Sequence, residues 1–382
     1  MFDMYLSYFV LWGCGAVGCI AINGYETDCL QRGPYARRQI ILTRLDRNTT
    51  RLSKQPNHCT GCDHQYACAN LNPYLHLTKT KLNSVTVRAP ATTANLGPGF
   101  DCIGMALDLW NELTLTRGDF SVSATGEGAD VVPLDTRNLA VTGVEAVFNY
   151  IGEPVPGLRY EQINRVPFAR GMGSSSSAIV SGLVAGSAIS GADLTKEQLT
   201  VLAADIEGHP DNVAPAIYGG CTVGVRNGSG KWIVDQVKVP KDLHAVLFVP
   251  EMEMNTHESR AVLPDHISRT DAVFNIGRAA LLVNALSTGR LELLKYATDD
   301  KLHQPHRAQA FKALPQLIEA AIKGGAHGAF LSGAGPSVLA LATEREVTIS
   351  YEMAETARIL GVDGNPMILS IAHEGASVMS SS

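Results

Sequence analysis

The pattern of hydrophobic and polar positions divides the chain near residue 80. Residues 1–80 differ from the rest and include an uncharged apolar stretch at 4–22. From residue 82 onward the pattern is regular, and apolar and polar side chains alternate over 84–88 and 112–116. Alternation with a period of two predicts half-buried strands, and a continuous apolar run at 245–249 predicts a buried one.

Helical patterns are mixed with these strands without strict alternation. Small and apolar residues at 178–189 predict one helix. Thr195 and Gln198 form a capping-box pattern that opens a second helix ending near Glu207. Further helices and strands are predicted at 271–286, 311–322, 330–331 and 338–341, with a turn at 227–231. This mixture predicts the α+β class or a mixed α/β arrangement.

The composition is that of a globular protein with room for two domains. The chain has 382 residues, of which 45% are hydrophobic and 18% charged. Its net charge of -6 argues against a nucleic-acid partner, which would require a basic face. A small phosphorylated ligand stays compatible, because backbone amides bind phosphate without a net positive charge.

The cysteines and charges set the first 80 residues apart. Six of the eight cysteines precede residue 80, so the main body is predicted to be reduced and intracellular, with no membrane partner. Residues 1–81 are interpreted as a disordered or targeting extension, since 4–22 is apolar and 32–54 is basic and poor in acids. The predicted location is the cytoplasm, and the alternative is a plastid if residues 1–80 form a transit peptide.

Two motifs within this extension are weak. A G-x-G-x-x-G spacing at 13–18 is followed by turn signals, which leave no room for the long helix of a dinucleotide site. Cys59 and Cys62 have the spacing of half a zinc site, but no second pair completes it. Neither motif is expected to bind a cofactor.

The most informative segment is a Gly/Ser-rich loop at 167–177. Its glycines let the backbone approach an anion, its serines supply hydroxyl donors, and the following helix offers unpaired amides and the positive end of its dipole. These features predict a cradle for the triphosphate of ATP, although the P-loop lysine is missing. A flexible linker is the alternative, but a linker would not run straight into an apolar helix. The predicted ATP-binding residues are Pro167, Phe168, Ala169, Arg170, Gly171, Met172, Gly173, Ser174, Ser175, Ser176 and Ser177.

Three segments in one order resemble the motifs of the GHMP kinase superfamily. They are P-A-T-T-A-N-L-G-P-G-F-D at 90–101, the Gly/Ser loop at 167–177, and L-S-G-A-G-P-S at 331–337. Within the superfamily, the segments similar to the homoserine kinases are H-P-D-N-V-A-P at 209–215, N-T-H-E-S-R at 255–260 and H-Q-P-H-R at 303–307. The chain departs from the usual pattern at Met172, where Leu is common, and at His306, where Tyr is common.

The resemblance implies a two-domain fold and an activity. The expected domains are a ribosomal protein S5 domain 2-like ATP-binding domain at 82–240 and a ferredoxin-like domain at 241–382, with the substrates between them. The implied reaction is phosphorylation of L-homoserine by ATP with Mg²⁺, giving O-phospho-L-homoserine for threonine biosynthesis. Family members are commonly homodimers, which makes a homodimer compatible with this chain.

The resemblance also implies roles for single residues. Ser175 and Glu207 match the magnesium ligands. The implied substrate-binding residues are Asn95, Asp101, His209, Asn212, Thr256, Arg260, Arg307 and Gly333, with the two arginines at the substrate carboxylate. The implied catalytic residues are Asp211, Asn212 and Arg260. Asp211 is either a general base, as in mevalonate-type kinases, or an organiser of the loop.

Two other functions stay open at this point. One is a GHMP kinase for a mevalonate-like or sugar substrate, which lacks an α-amino group. The other is a non-catalytic ligand sensor on the same scaffold. Such a sensor typically loses the magnesium carboxylate or the loop serines, whereas Glu207 and Ser175 are present here.

Overall fold

The computed structural model describes residues 82–254 and 256–382, apart from the side chains of Thr256 and His257. The predictions for residues 1–81, namely the extension, the dinucleotide spacing and the zinc half-site, lie outside this range. The described residues belong to one compact unit. None of its helices combines the length and the hydropathy that a membrane span needs, within the described residues.

The described strands form two sheets. In chain order they are β1 (Ser84–Ala94), β2 (Ile103–Arg117), β3 (Ser121–Gly126), β4 (Leu158–Asn164), β5 (Cys221–Arg226), β6 (Trp232–Val237), β7 (His244–Pro250), β8 (Gly328–Leu331), β9 (Val338–Ala342), β10 (Gly364–Ser370) and β11 (Ser377–Ser381). The first sheet has the order β11-β1-β2-β4-β3, with β5 pairing with both β2 and β6, and the second has the order β10-β7-β9-β8. All pairs are antiparallel except the parallel pair of β3 and β4.

Helices pack on these sheets. In chain order they are α1 (Leu139–Ile151), α2 (Ser174–Ser190), α3 (Lys196–Glu207), α4 (Val213–Tyr218), α5 (Thr256–Ala261), α6 (Arg269–Thr288), α7 (Leu294–Ala297), α8 (Gln304–Arg307), α9 (Leu314–Gly324) and α10 (Glu346–Ile359). The α+β arrangement predicted from the sequence is confirmed. The chain passes from the first sheet to the second between β6 and β7, but β11 returns to the first, and the boundary at 240/241 stays a prediction.

The predicted elements are all present, with shifted ends. The strand predicted at 84–88 continues to Ala94, because β1 is buried on both faces beyond Arg88 and loses its alternation. The helix predicted at 178–189 begins earlier, at Ser174, so the loop serines form its first turn. The capping box of α3 is confirmed: the Thr195 hydroxyl accepts from Gln198 N, and the Gln198 side chain accepts from Thr195 N.

One hydrophobic cluster joins the two sheets. It contains Met105 and Leu107 of β2, Leu247 of β7 and Leu339 of β9, all of them buried. Because this core contacts both sheets, the loops that leave β1 and β8 are held against the loop that precedes α2. The site lies where these loops meet.

Candidate active site

The three Gly-rich segments meet in one place and are joined by hydrogen bonds. Thr92 N, in the first motif, donates to Met172 O, in the second, at 3.0 Å. The Ser332 hydroxyl, in the third, donates to Gly171 O at 2.6 Å and lies 2.8 Å from Thr93 Oγ1. Each motif is therefore bonded to the other two.

Two glycines of the second motif are required by this close approach. Gly171 has a φ of +74°, and a Cβ there would lie 2.2 Å from Ser332 O. Gly173 has a φ of +68°, and its Cβ would lie 2.0 Å from Thr92 Oγ1. Any side chain at either position would combine backbone strain with overlap, so the motif needs glycine for packing as well as for anion binding.

The first turn of α2 faces the cavity that these motifs enclose. Gly173 precedes the helix, and no side chain caps its first amides. Ser174, Ser175 and Ser176 line the cavity together with Gly171. Uncapped amides, hydroxyls and the positive end of the helix dipole make this wall suited to phosphate.

Most of the residues predicted from the sequence line this cavity. They are Asn95, Asp101, Ala169, Arg170, Gly171, Gly173, Ser174, Ser175, Ser176, Glu207, His209, Asp211, Asn212, Arg260, Arg307 and Gly333. Pro167, Met172 and Ser177 are buried instead, and Ser177 Oγ donates to Ala89 O at 3.1 Å. Phe168 lines a neighbouring cavity. Thr256 begins α5, and its side chain lies outside the described atoms.

One wall of the cavity concentrates negative charge. Ligand-type atoms of Asp101, His209 and Asp211 all lie within 4.8 Å of one another. Asp211 Oδ1 is 2.5 Å from His209 Nδ1 and accepts from Asn212 Nδ2 at 3.4 Å. Burial acts to lower the pKa of His209, but the hydrogen bond and charge of Asp211 outweigh it, so the pKa is raised. This wall suits a cationic group such as an ammonium.

Two arginines also line the cavity, in different electrostatic states. Arg260 forms a two-point ion pair with Asp101, with Nη1–Oδ2 and Nη2–Oδ1 distances of 3.0 and 2.6 Å. Arg307 is 2% exposed, and within the described chain it forms no salt bridge. Its Nη1 donates to Gly333 O at 2.9 Å, and burial followed by the charge of Arg260 lowers its pKa to about 10. Arg307 thus holds a positive charge at the cavity wall with no direct ion-pair partner among the described residues.

Glu207 supplies a carboxylate beside the phosphate-binding loop. It ends α3 and accepts from Ser176 Oγ at 3.1 Å. Burial raises its pKa above the usual value, although His209 and hydrogen bonds from Ser176 and Ser175 act in the opposite direction. Carboxylate and hydroxyl oxygens are ligand types that Mg²⁺ accepts, and a cation here would relieve the cost of the buried charge.

A second, more apolar cavity adjoins the first and shares Ser174 and Ser175 with it. Its other walls are Asn111, Glu127, Val132, Pro133, Arg137, Asn138, Leu139, Gln162, Asn164, Val166, Phe168 and Ala178. Apart from Phe168 these residues were not predicted, because they come from distant segments and carry no shared motif. The same reason applies to Met254 of the main cavity. Ala94 and Ala334 also line it and lie inside the first and third motifs, but their side chains carry no polar group that would have marked them as site residues.

Comparison with known protein families gives two matches. Residues 138–220 match the GHMP kinases N terminal domain. Residues 281–356 match the GHMP kinases C terminal domain.

Individual proteins cover most of the chain. A homoserine kinase from Trichormus variabilis is 42% identical over 300 residues, which are 78% of this chain and 99% of the relative. One from Desulfitobacterium hafniense is 42% identical over 297 residues, 77% of this chain and all of the relative. The crystal structure of a homoserine kinase from Cytophaga hutchinsonii superposes with a TM-score of 0.72 at 28% identity, covering 79% of this chain and 99% of that one.

Proposed function

The chain belongs to the homoserine kinase family of GHMP kinases, and we propose that the main cavity is where it phosphorylates L-homoserine with ATP. The product is O-phospho-L-homoserine, which feeds threonine biosynthesis. The observation that supports this most strongly is that one cavity combines the uncapped start of α2 with both carboxylate and guanidinium groups. A phosphate tail and a zwitterionic amino acid therefore each find complementary groups within reach of one another.

Family membership supports the fold as well as the activity. The two-domain GHMP kinase fold predicted from the sequence agrees with the N- and C-terminal family matches. The ATP-dependent transfer to an alcohol follows from the homoserine kinase relatives.

The nucleotide occupies both cavities in this proposal. Its phosphates lie against Gly171, Gly173 and the first turn of α2, where amides and hydroxyls offset their charge. Its adenosine lies in the adjoining apolar cavity, where Phe168 and Val132 give the base an apolar surface. Because Ser174 and Ser175 line both cavities, one ATP molecule can extend from the first cavity into the second.

Ser175 and Glu207 would hold Mg²⁺. Their oxygens lie beside the phosphate wall, and Glu207 is a carboxylate whose burial calls for a cation. Bound Mg²⁺ would shield the negative charge of the phosphates. The protein's own part is to keep the Glu207 carboxylate oriented, through the hydrogen bond from Ser176.

The acceptor substrate is bound by its two charged ends. Asp101, Asp211 and Asn212 face its ammonium and hydroxyl, and Arg307 faces its carboxylate. The Asn95 side chain holds Asp101 in place: its Oδ1 accepts from Asp101 N, while its Nδ2 donates to Gly333 O. In-line placement of the hydroxyl then supplies most of the rate enhancement.

Asp211→Asn is expected to retain measurable activity, with kcat reduced less than about a hundredfold. A dedicated general base contributes about a hundred- to ten-thousandfold, whereas the side chain here is buried and hydrogen-bonded to its neighbours. Steady-state ADP release measures the effect, and circular dichroism checks the fold. Complete loss of turnover in a folded variant would make Asp211 the base.

The substrate assignment is tested by ADP release from Mg-ATP over a panel of L-homoserine, L-serine, L-threonine and mevalonate. L-homoserine is expected to give the highest kcat/KM, because of the four alcohols only it combines an ammonium and a carboxylate with a hydroxyl on the second side-chain carbon. Preference for mevalonate would indicate another GHMP kinase. No turnover with any alcohol would indicate a ligand sensor.

Location and assembly are proposed from the family alone. We propose a cytoplasmic enzyme, with a plastid location as the alternative if residues 1–80 are a transit peptide, and a homodimer as the assembly. N-terminal sequencing of the native protein and light scattering of the purified protein test these two points.

A further inference from the structure

His303 lies four residues before Arg307 and contacts its guanidinium. Its side chain is completely buried, with no exposed surface, and it does not line the cavity. It therefore cannot touch a substrate. Its Nδ1 is nevertheless 3.1 Å from Arg307 Nη1.

The hydrogen bonds around the His303 ring define one tautomer. Nε2 lies 2.8 Å from Gly97 O, which can only accept, so Nε2 carries the hydrogen. Asp300 Oδ2 lies 3.5 Å from the same nitrogen, in keeping with a hydrogen there. Since an arginine cannot accept, Nδ1 must be the acceptor for Arg307 Nη1. Burial lowers the pKa of His303 to about 4, which keeps this acceptor unprotonated at neutral pH.

Arg307 depends on neutral acceptors for its orientation. Nε donates to Ser259 O at 3.2 Å, and Nη1 is shared between Gly333 O and His303 Nδ1. Unlike Arg260, it has no carboxylate partner among the described residues. Its guanidinium is thus oriented without being neutralised, so its charge is available to an anion in the cavity.

The ring of His303 is itself fixed on several sides. Asp300 Oδ2 lies 3.5 Å from the ring nitrogen Nε2, and the Asp300 carboxylate is itself held by the His303 main-chain N at 2.9 Å and by Asn275 Nδ2 at 2.8 Å. Phe100 packs against the ring with a centroid distance of 5.4 Å and lies 5.5 Å from the Arg307 guanidinium. A rotation of the ring would disturb its hydrogen bond to Gly97 O and its packing against Phe100.

We propose that His303 is a positioning residue, whose Nδ1 holds Arg307 in the orientation that binds the substrate carboxylate. The inference rests on the proposed function, in which Arg307 contacts that carboxylate. His303 bonds Gly97 of the first Gly-rich motif, and Arg307 bonds Gly333 of the third. The orientation of the arginine is therefore linked to both motifs.

Two variants test the hydrogen bonds of the two ring nitrogens separately. The amide oxygen of His303→Asn can accept where Nδ1 does, whereas the amide nitrogen of His303→Gln can donate where Nε2 does. His303→Gln is expected to raise KM for L-homoserine about tenfold, through the loss of a hydrogen bond to a charged group, and to leave KM for ATP unchanged. His303→Asn is expected to stay within about threefold of the parent protein.

A second readout distinguishes positioning from general destabilisation. 3-Aminopropan-1-ol is homoserine without its carboxylate, so it makes no use of Arg307. His303→Gln should lower the kcat/KM ratio of L-homoserine to this analogue about tenfold, whereas loss of folded protein would lower both values equally. His327→Gln is the control, because the His327 ring bonds Thr343 Oγ1 at 2.8 Å outside the cavity.

The double variant His303→Gln/Arg307→Lys shows whether His303 acts through Arg307 or independently of it. If His303 acts through Arg307, His303→Gln adds little to the KM of Arg307→Lys. A full additive increase, or equal losses with both alcohols, would overturn the role of His303 while leaving the proposed function intact. An Arg307→Lys variant with unchanged KM for L-homoserine would instead overturn the proposed function at that residue.

Discussion

Glu207→Gln is expected to lower kcat by about a hundred- to a thousandfold, the size of effect seen when one preorganised electrostatic contact is removed from an active site. The amide keeps the shape of the side chain and can still accept from Ser176 Oγ, which lies 3.1 Å from Oε1. It loses the charge that would hold Mg²⁺ beside Ser175. The measurement is ADP release at saturating substrates over a range of Mg²⁺ concentrations.

The same variant is expected to be more stable than the parent protein at neutral pH without Mg²⁺. Burial raises the pKa of Glu207 in the folded state, so the folded chain binds this proton more tightly than the unfolded chain. The stability gained from that proton is present below the unfolded pKa and is lost as pH rises through the folded pKa. At neutral pH the charged carboxylate is therefore a cost, which glutamine removes.

Thermal unfolding with EDTA and with Mg²⁺ tests whether the Glu207 carboxylate destabilises the metal-free protein and binds the metal ion. Mg²⁺ and a nucleotide should raise the Tm of the parent protein and have a smaller effect on Glu207→Gln. Glu346→Gln is a matched control. Glu346 begins α10, and its carboxylate is partly buried beside His244 of β7, outside the cavity. If Glu207→Gln kept its full rate and Mg²⁺ response, Glu207 would have no part in metal binding.

Local patterns predicted those parts of the fold that depend on neighbours in the sequence. The capping box at Thr195 and the alternation at 84–88 were correct, because both arise within a few residues. The start of α2 was placed too late, since its first turn consists of four serines, which have weak helix propensity and add no apolar periodicity. The return of β11 to the first sheet depends on pairing across almost the whole described chain and left no local pattern.

The candidate site was predictable where a motif concentrates polar groups and glycines. Asp101, Asp211 and Arg307 come from distant segments, yet each lies in or beside a recognisable motif, and all line one cavity. The apolar cavity proposed for adenosine has no such motif. The contact of His303 with Arg307 was likewise hidden, because the sequence shows two residues four positions apart but not which nitrogen accepts.

Arg307→Lys is expected to raise KM for L-homoserine by about thirtyfold to a thousandfold, the range for truncating a buried charged hydrogen-bonded pair. Lysine keeps a positive charge but cannot reproduce the planar fork, which in the parent donates to Ser259 O and Gly333 O while facing the cavity. KM for ATP should stay unchanged, because the phosphate-binding wall lies on α2. Initial rates with each substrate varied in turn provide both constants.

Arg117→Lys is the matched control for this substitution. The Arg117 guanidinium also donates to two main-chain carbonyls, Leu82 O at 2.9 Å and Ile189 O at 3.0 Å, but it does not line the cavity. Its replacement should leave KM for L-homoserine unchanged even where it lowers the Tm. If both lysine variants raised KM by the same factor, the effect would come from lost main-chain contacts in general. A rise confined to Arg307→Lys, and absent with 3-aminopropan-1-ol, would assign it to the carboxylate, because only that group distinguishes the two alcohols.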